Sequence, residues 1–132
     1  MIDILIIEDD SDCGQLLRLQ LEQLLAEEAR IEIVSNLQHF QYMLTGGFKP
    51  AIVMLDLNLP DAEGMECVTR VRSGCQDAFI LLTTGRDQDH LVAECLASGA
   101  DAYLRKGSGL KALSTVIRSA LQDHLTAQCL EP

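Results

Sequence analysis

The chain has few positive charges, and this scarcity argues against two classes of partner. Its 132 residues include ten Lys and Arg against twenty Asp and Glu, so the net charge is −10. The basic residues are spread thinly, whereas binding to nucleic acid or to an anionic membrane surface requires a concentrated basic patch. We therefore expect this domain to bind neither nucleic acid nor membranes directly.

Paired cysteines and long apolar runs are also missing. The five cysteines are odd in number and show no C-x-x-C spacing, which is typical of reduced thiols rather than of a disulfide frame or a zinc site. The three histidines are scattered. The N-terminus lacks the basic segment of a signal peptide, and no apolar stretch approaches the ~20 residues that span a bilayer. These features predict a cytoplasmic protein.

Five short apolar runs, rich in Ile, Val and Leu, punctuate the chain. Such near-continuous runs are typical of strands that are covered on both faces. They occupy residues 4–7, 31–34, 51–55, 79–82 and 102–104. A segment with helical periodicity follows each run, and Ser11 is placed to cap the first helix. Strand followed by helix, five times, predicts an α/β fold with one doubly wound parallel sheet and helices on both faces.

The length fits one domain, which we assign to residues 1–125, with residues 126–132 as a C-terminal tail. A domain of this size buries roughly two-thirds of the surface of its unfolded chain, which is enough for a core.

Acidic residues follow two of the predicted strands. Glu8, Asp9 and Asp10 end the first strand, and Asp56 ends the third, in "AIVMLDLNLPDAEG". In an open α/β sheet, ligands bind outside the carboxyl ends of the strands, so these carboxylates are expected in one crevice. Carboxylates this close repel one another unless a cation joins them, and an all-oxygen ligand set suits Mg²⁺.

Two further polar residues follow the later strands. Thr84 comes after the fourth strand, and Lys106 comes after the fifth. Each alone is typical of a strand end. Beside a metal-bound carboxylate, however, a hydroxyl donor and an ammonium form a site for a phosphoryl group.

These motifs together resemble the receiver domain of two-component response regulators over essentially the whole chain. "IIEDD" is similar to the acidic motif of strand one, and "VMLDLNLPDAEG" is similar to the phosphoacceptor segment. "LLTTG" resembles the segment of the switch hydroxyl, and "SGADAYLRK" resembles that of the switch aromatic and the invariant lysine. The resemblance implies a flavodoxin-like sheet with the strand order 2-1-3-4-5.

The resemblance also implies a role for each site residue. Asp56 is the phosphoacceptor, which takes a phosphoryl group from a histidine kinase or a phosphotransfer protein. Lys106 and Thr84 act on the phosphoryl group, and Thr84 and Tyr103 form the switch. The implied Mg²⁺ ligands are Glu8, Asp9, Asp56 and the backbone carbonyl of Asn58. Homodimerisation through the face of the fourth helix, fifth strand and fifth helix is also implied.

The sequence departs from the family pattern after the lysine. Gly107 stands where the family usually has a proline that follows a cis peptide bond. Because a cis bond before a residue other than proline costs roughly 2.5–4 kcal/mol, a trans Lys106–Gly107 bond is the alternative, and the aim of Lys106 is open. Asn58 and Arg86 occupy positions that tune the lifetime of the phosphate in this family.

Two other functions remain open at this point. One is a Mg²⁺-dependent phosphohydrolase with an aspartate nucleophile, of the haloacid dehalogenase type, although Glu8 stands where that nucleophile is needed. The other is an interaction module that keeps the receiver fold and works without phosphorylation. The receiver interpretation predicts a signalling domain rather than an enzyme.

Overall fold

A parallel sheet of five strands forms the centre of the molecule. The computed structural model describes the backbone of residues 1–130 and the side chains of residues 1–123. The sheet strands are β1 (Ile2–Ile7), β2 (Ala29–Val34), β3 (Ile52–Asp56), β4 (Phe79–Thr84) and β5 (Ala102–Arg105). Their order is β2-β1-β3-β4-β5, and every neighbouring pair is parallel. The predicted fold class and strand order are confirmed.

Five α-helices connect and cover these strands. They are α1 (Ser11–Leu25), α2 (Leu37–Thr45), α3 (Met65–Gly74), α4 (Val92–Ala97) and α5 (Leu110–Leu130). Short 3₁₀ helices lie at Ala26–Glu28, after α1, and at Arg86–Leu91, before α4. Among the helices in residues 1–130, none combines the length and apolar character that crossing a membrane requires.

The alternation of side chains along the strands divides the core into two layers. Ile4, Ile6 and Met54 face α1 and α5, where they pack with Leu113 and Ile117. The intervening residues of the same strands face the opposite layer, which α2, α3 and α4 cover. Every residue of β3 is buried, which explains why its run carries no polar alternation.

The structure corrects one detail of the sequence analysis and adds two. The N-cap of α1 is Asp10 rather than Ser11, because the Asp10 carboxylate accepts hydrogen bonds from the amides of Asp12 and Cys13. The fourth helix begins as the 3₁₀ helix Arg86–Leu91 and becomes α-helical only at Val92. A short antiparallel hairpin, Asn58–Leu59 with Ala62–Glu63, follows β3 and was not expected.

The boundary between domain and tail stays a prediction. The α5 helix continues to Leu130, through most of the segment that was assigned to the tail. Glu131 and Pro132 lie outside the described residues.

Candidate functional site

The carboxyl ends of β1 and β3 bring the predicted acidic residues together. Ile7 pairs with Leu55 in parallel register, so Glu8 and Asp56, the residues that follow, emerge side by side. One carboxylate oxygen from each of Glu8, Asp9 and Asp56 lies within 4.8 Å of those of the other two. Glu8 and Asp56 are only 2% and 3% exposed, whereas Asp9 is open to solvent. Asp10, the third acidic residue after β1, is not in this group because its carboxylate caps α1.

Lys106 reaches into the same cluster from the end of β5. Its Nζ lies 2.8 Å from Glu8 Oε1 and 3.4 Å from Asp56 Oδ2. The backbone amide of Lys106 donates to the carbonyl of Thr84, which fixes the start of the loop against β4. The Lys106 side chain therefore points toward Asp56, the candidate phosphoacceptor. The sequence had left this direction open.

The loop after Lys106 follows a path that a proline would not allow. Within the described residues there is no cis peptide bond, so the Lys106–Gly107 bond is trans. Gly107 has φ +83°, which glycine adopts freely. A proline at that position would fix φ near about −65°. The loop after Lys106 therefore has a different backbone path from one that contains a proline, and the lysine still lies beside Asp56.

Burial and repulsion between carboxylates perturb the protonation of the cluster. Burial, followed by the contact with Glu8, raises the pKa of Asp56 to about 7, and the Lys106 ammonium opposes that rise. Burial also acts to raise the pKa of Glu8, but its contacts with Asp56 and Lys106 outweigh burial and lower it. The pKa of Lys106 is raised, since its contacts with Glu8 and Asp56 outweigh the effect of burial. One ammonium only partly neutralises the two buried carboxyl groups.

The donor atoms of this cluster fit a divalent cation. Both carboxyl oxygens of Glu8 are buried without a well-aligned hydrogen-bond donor, although Oε1 is at ion-pair distance from Lys106. Unpaired buried carboxylate oxygens are costly unless a cation joins them. With Asp9 and Asp56 they form an all-oxygen set that is open to water on the Asp9 side, which is the coordination that Mg²⁺ prefers. The backbone carbonyl of Asn58 stays a predicted ligand. The backbone amide of the same residue donates a hydrogen bond to Asp56 Oδ1 at 3.3 Å.

Thr84 and Tyr103 lie on the α4 side of the neighbouring strands. Leu82 pairs with Tyr103, and Thr84 pairs with Arg105, so these side chains share the sheet face to which the core residue Leu82 belongs. The Thr84 hydroxyl is fully buried and has no hydrogen-bond partner. Tyr103 is 50% exposed. The structure thus contains an unpaired donor one residue beyond the residue that pairs with Asp56, and an aromatic ring that faces outward.

Two polar arrangements near the site were missed by reasoning from the sequence. Arg105 Nη2 lies 2.6 Å from both carboxylate oxygens of Asp89, which joins β5 to the 3₁₀ helix before α4. Asp61, in the loop after β3, accepts hydrogen bonds from the amides of Leu37 and Gln38 and so caps α2. The opposite charges in "GRDQD" and "LRK" were a faint signal for the first arrangement. The sequence gives no signal for the second, because 24 residues separate Asp61 from Leu37.

None of the four cysteines whose side chains the structure describes belongs to the acidic cluster. Cys13, Cys67, Cys75 and Cys95 are free thiols, as expected, and Cys129 lies outside the described side chains. Burial is the main cause that raises the pKa of Cys67 to about 12 and that of Cys75 to about 11, so both are poor nucleophiles at neutral pH.

Comparison with known proteins gives a consistent result. The model of the response regulator receiver domain family matches residues 4–118. The chain is 30% identical over 132 residues to the KDP operon transcriptional regulatory protein KdpE of Escherichia coli K12, covering all of this chain and 56% of that protein. It is 35% identical over 104 residues to the transcriptional regulatory protein SrrA of Staphylococcus aureus, covering 79% of this chain and 41% of that protein. The chain thus spans about half the length of the curated relatives it matches.

Solved structures support the same assignment. The signal receiver domain of a DNA-binding response regulator from Colwellia psychrerythraea 34H has a TM-score of 0.80 at 29% identity, covering 92% of this chain and 99% of that one. A response regulator receiver domain protein from Clostridium thermocellum has a TM-score of 0.83 at 20% identity, covering 96% and 99%, and supports the fold alone. The chain belongs to the receiver domain family of two-component response regulators.

Proposed function

We propose that this domain accepts a phosphoryl group from a phosphohistidine onto Asp56 and passes on the signal by a change in conformation. The observation that carries the proposal is the convergence of Glu8, Asp9 and Asp56 beside the ammonium of Lys106. This arrangement holds a nucleophilic carboxylate next to positive charge, which is what phosphoryl transfer chiefly requires.

The transfer needs one bond to form and one to break. A carboxylate oxygen of Asp56 forms the bond to phosphorus while the bond from phosphorus to the imidazole nitrogen breaks. The bonding electron pair stays with that nitrogen. Lys106, already 3.4 Å from Asp56 Oδ2, neutralises charge on the transferring oxygens. Glu8, Asp9, Asp56 and the carbonyl of Asn58 would hold a Mg²⁺ ion, which would supply further charge neutralisation.

The response to the phosphoryl group begins at Thr84. Its buried hydroxyl has no partner in the resting structure, so a phosphoryl oxygen on Asp56 offers it an acceptor. We propose that Thr84 moves toward this oxygen and that Tyr103 turns inward from its exposed position. The added charge thereby biases a two-state element of the α4 side.

The phosphodonor is proposed to be a histidine kinase or a phosphotransfer protein that docks beside the site. Leu16 and Leu19, which occupy neighbouring positions on the surface of α1, are 54% and 62% exposed. A cleft between α1 and the loop after β5 is lined by Leu16 at one side and by Lys106 at the other. A helix that carries the phosphohistidine would cover this apolar rim.

From the family resemblance we further propose that the domain forms a homodimer through the face of α4, β5 and α5. Tyr103 lies exposed on β5, at the edge of the sheet, within that face. Light scattering of the protein before and after phosphorylation tests this proposal, and an unchanged mass would reject it.

The experiment that tests the main proposal is intact-mass measurement after incubation with acetyl phosphate and Mg²⁺. We expect the wild-type chain to gain the mass of one phosphoryl group and Asp56→Asn to gain none. Asp77→Asn, which removes an exposed carboxylate just before β4, at the amino ends of the strands, is the matched control and should behave as wild type. Failure of the wild-type chain to gain mass would favour the interaction module, whereas multiple turnover of a generic phosphate ester would favour the phosphohydrolase.

A further inference from the structure

The 3₁₀ helix Arg86–Leu91 is joined to the edge of the sheet by a surface ion pair. Arg105 Nη2 contacts both oxygens of the Asp89 carboxylate at 2.6 Å. The two side chains are 42% and 51% exposed, so the pair is accessible to water. Exposed pairs are individually weak, which suits a contact that must break reversibly.

The far end of the same layer is held much more firmly. The guanidinium of Arg72, on α3, donates to the carbonyls of Gly99 and Ala78 and to the Asp101 carboxylate. Asp101 also accepts a hydrogen bond from the amide of Ile80 in β4. The Arg72 side chain is only 24% exposed, and hydrogen bonds from a charged group are about twice as strong as neutral ones. The loop after α4 is therefore fixed to α3 and to the sheet.

The strand order determines what a movement of Thr84 would do to the ion pair. β4 lies between β3, which carries Asp56, and β5, which carries Arg105. Movement of Thr84 toward Asp56 is therefore movement away from Arg105, the residue with which it pairs across the sheet. The 3₁₀ helix begins two residues after Thr84 and carries Asp89, so the same movement pulls the two partners of the ion pair apart.

We propose that the Asp89–Arg105 pair is a latch that holds the 3₁₀ helix in its resting position. When the latch opens, this helix swings about the end of α4 that Arg72 clamps, and Tyr103 gains room to turn inward. The inference rests on the proposed function, because the pull on Thr84 comes from a phosphoryl group on Asp56. The inference adds Asp89 and Arg105 as the residues that set how readily Thr84 and Tyr103 respond to the phosphoryl group.

Binding of fluoroberyllate with Mg²⁺, a mimic of the phosphoryl group, measures the latch directly. We expect Asp89→Asn and Arg105→Gln each to bind fluoroberyllate more tightly than wild type, by up to about fivefold. This change in the binding constant corresponds to the free energy of an exposed ion pair. Long-range electrostatics alone would tighten binding of this anionic group in Asp89→Asn and weaken it in Arg105→Gln. Tightening in both variants is therefore the signature of the latch.

Two further proteins serve as controls. The double variant Asp89→Arg with Arg105→Asp reverses the pair, keeps the net charge and is expected to return the affinity to the wild-type value. Arg30→Gln removes another surface pair, in which Arg30 contacts both oxygens of Asp3 at 2.8 and 3.1 Å, away from the site. This variant should leave the affinity unchanged.

A readout without any phosphoryl mimic separates the latch from the proposed function. The chain has two tyrosines and no tryptophan, so Tyr42→Phe leaves Tyr103 as the only fluorophore of its kind. In this background, acrylamide should quench Tyr103 less in Asp89→Asn and Arg105→Gln, because the ring spends more time turned inward. Arg30→Gln should leave the quenching unchanged.

The possible failures are distinguishable. If wild type binds fluoroberyllate but both latch variants bind it no more tightly than Arg30→Gln, the latch is wrong and the proposed function stands. If wild type binds no fluoroberyllate and gains no phosphoryl mass, the proposed function fails. In that case the quenching of Tyr103 by acrylamide tests the latch alone. A decrease in quenching that is confined to Asp89→Asn and Arg105→Gln supports the latch, and unchanged quenching overturns it.

Discussion

At the scale of single residues, Lys106 has two opposed effects on the site. Its ammonium lies 2.8 Å from Glu8 and 3.4 Å from Asp56, where it partly neutralises the carboxylates in the absence of a metal ion. A cation bound to the same carboxylates is repelled by that ammonium, since like charges at short range repel. The phosphoryl oxygens, by contrast, are attracted to it. If the proposed function holds, we therefore expect Lys106 to weaken metal binding while it assists phosphoryl transfer.

Replacement of this lysine should separate the two effects. We expect Lys106→Gln to bind Mg²⁺ more tightly than wild type, and to gain the phosphoryl group from acetyl phosphate more slowly by about 10²-fold or more, as for loss of an electrostatic stabiliser. Calorimetric titration with Mg²⁺ and the time course of intact mass measure the two quantities. Lys111→Gln, an exposed lysine on α5, is the matched control. Weaker Mg²⁺ binding in Lys106→Gln would show that the lysine organises the metal site instead of competing with it.

The sequence predicted that the acidic residues and the lysine would lie close together, but it did not predict all of the polar contacts around them. Glu8, Asp9, Asp56 and Lys106 could be assigned to one edge because each follows a strand, and parallel strands end at the same edge. The Asp89–Arg105 pair depends on the path of the 3₁₀ helix over β5, which periodicity does not encode. The roles of Thr84 and Tyr103 in switching stay predictions.

At the scale of secondary-structure elements, the loop after β3 stabilises a helix that is distant in sequence. α2 has its own N-cap, Asn36, whose side chain accepts from the amide of His39 at 2.7 Å. Asp61 satisfies the amides of Leu37 and Gln38 at 3.0 Å each. Burial acts to raise the pKa of Asp61, but these amide hydrogen bonds outweigh it and lower the pKa below its ordinary value of 3.8. The carboxylate is thus favoured by the folded state.

Removal of this second cap should destabilise the domain in a pH-dependent way. We expect Asp61→Ala to lower the free energy of unfolding by about 1 kcal/mol near neutral pH, as for other helix caps. Because the folded pKa is depressed, the contribution is fully present above the unfolded pKa and is lost as pH falls through the folded pKa, below 3.8. Urea unfolding of wild type and variant between pH 7 and about pH 3 measures it.

Asp77→Asn provides the comparison for this prediction, since Asp77 is an exposed carboxylate just before β4. Its difference from wild type should be small and should not follow the same acid profile. A difference between Asp61→Ala and wild type that is undiminished at the lowest pH would contradict the capping role of the Asp61 carboxylate.

The elements themselves were largely predictable, and the exceptions have local causes. The strands carry Ile, Val and Leu without alternation because both faces of the sheet are covered, so their positions were evident. The 3₁₀ helix before α4 was not evident from the sequence; at its start, the side chain of Gln88 folds back to accept a hydrogen bond from the amide of Gly85. Likewise, the carboxylate of Asp10 takes the capping position that Ser11 was expected to fill.

At the scale of the whole molecule, we expect the net charge of −10 and a divalent cation bound at the proposed site both to affect stability. Self-repulsion destabilises a compact acidic protein, and any salt relieves it by screening. A bound divalent cation adds a second contribution, because it binds the folded state and has no preformed site in the unfolded chain. The two contributions can be separated by comparing Mg²⁺ with a monovalent salt at the same ionic strength.

We expect Mg²⁺ to stabilise the domain beyond this screening effect. At tenfold excess over its dissociation constant the additional free energy of unfolding should be about 1.4 kcal/mol. Asp9→Asn removes the exposed carboxylate of the cluster and should abolish the excess, while leaving the response to monovalent salt intact. Thermal or urea unfolding in matched salts gives both values. An excess of equal size in Asp9→Asn would place the binding of Mg²⁺ elsewhere on the acidic surface.

The central claim is that carboxylates from β1 and β3 meet so that Asp56 can take up phosphorus, and the position of the phosphoryl group tests it most directly. Reduction with borohydride converts an aspartyl phosphate to homoserine, which peptide mass spectrometry locates in the chain. After incubation with acetyl phosphate and Mg²⁺, we predict homoserine in place of Asp56 and a requirement for Mg²⁺. Homoserine at another aspartate, or unmodified Asp56 in protein that carries the phosphoryl mass, would contradict the account.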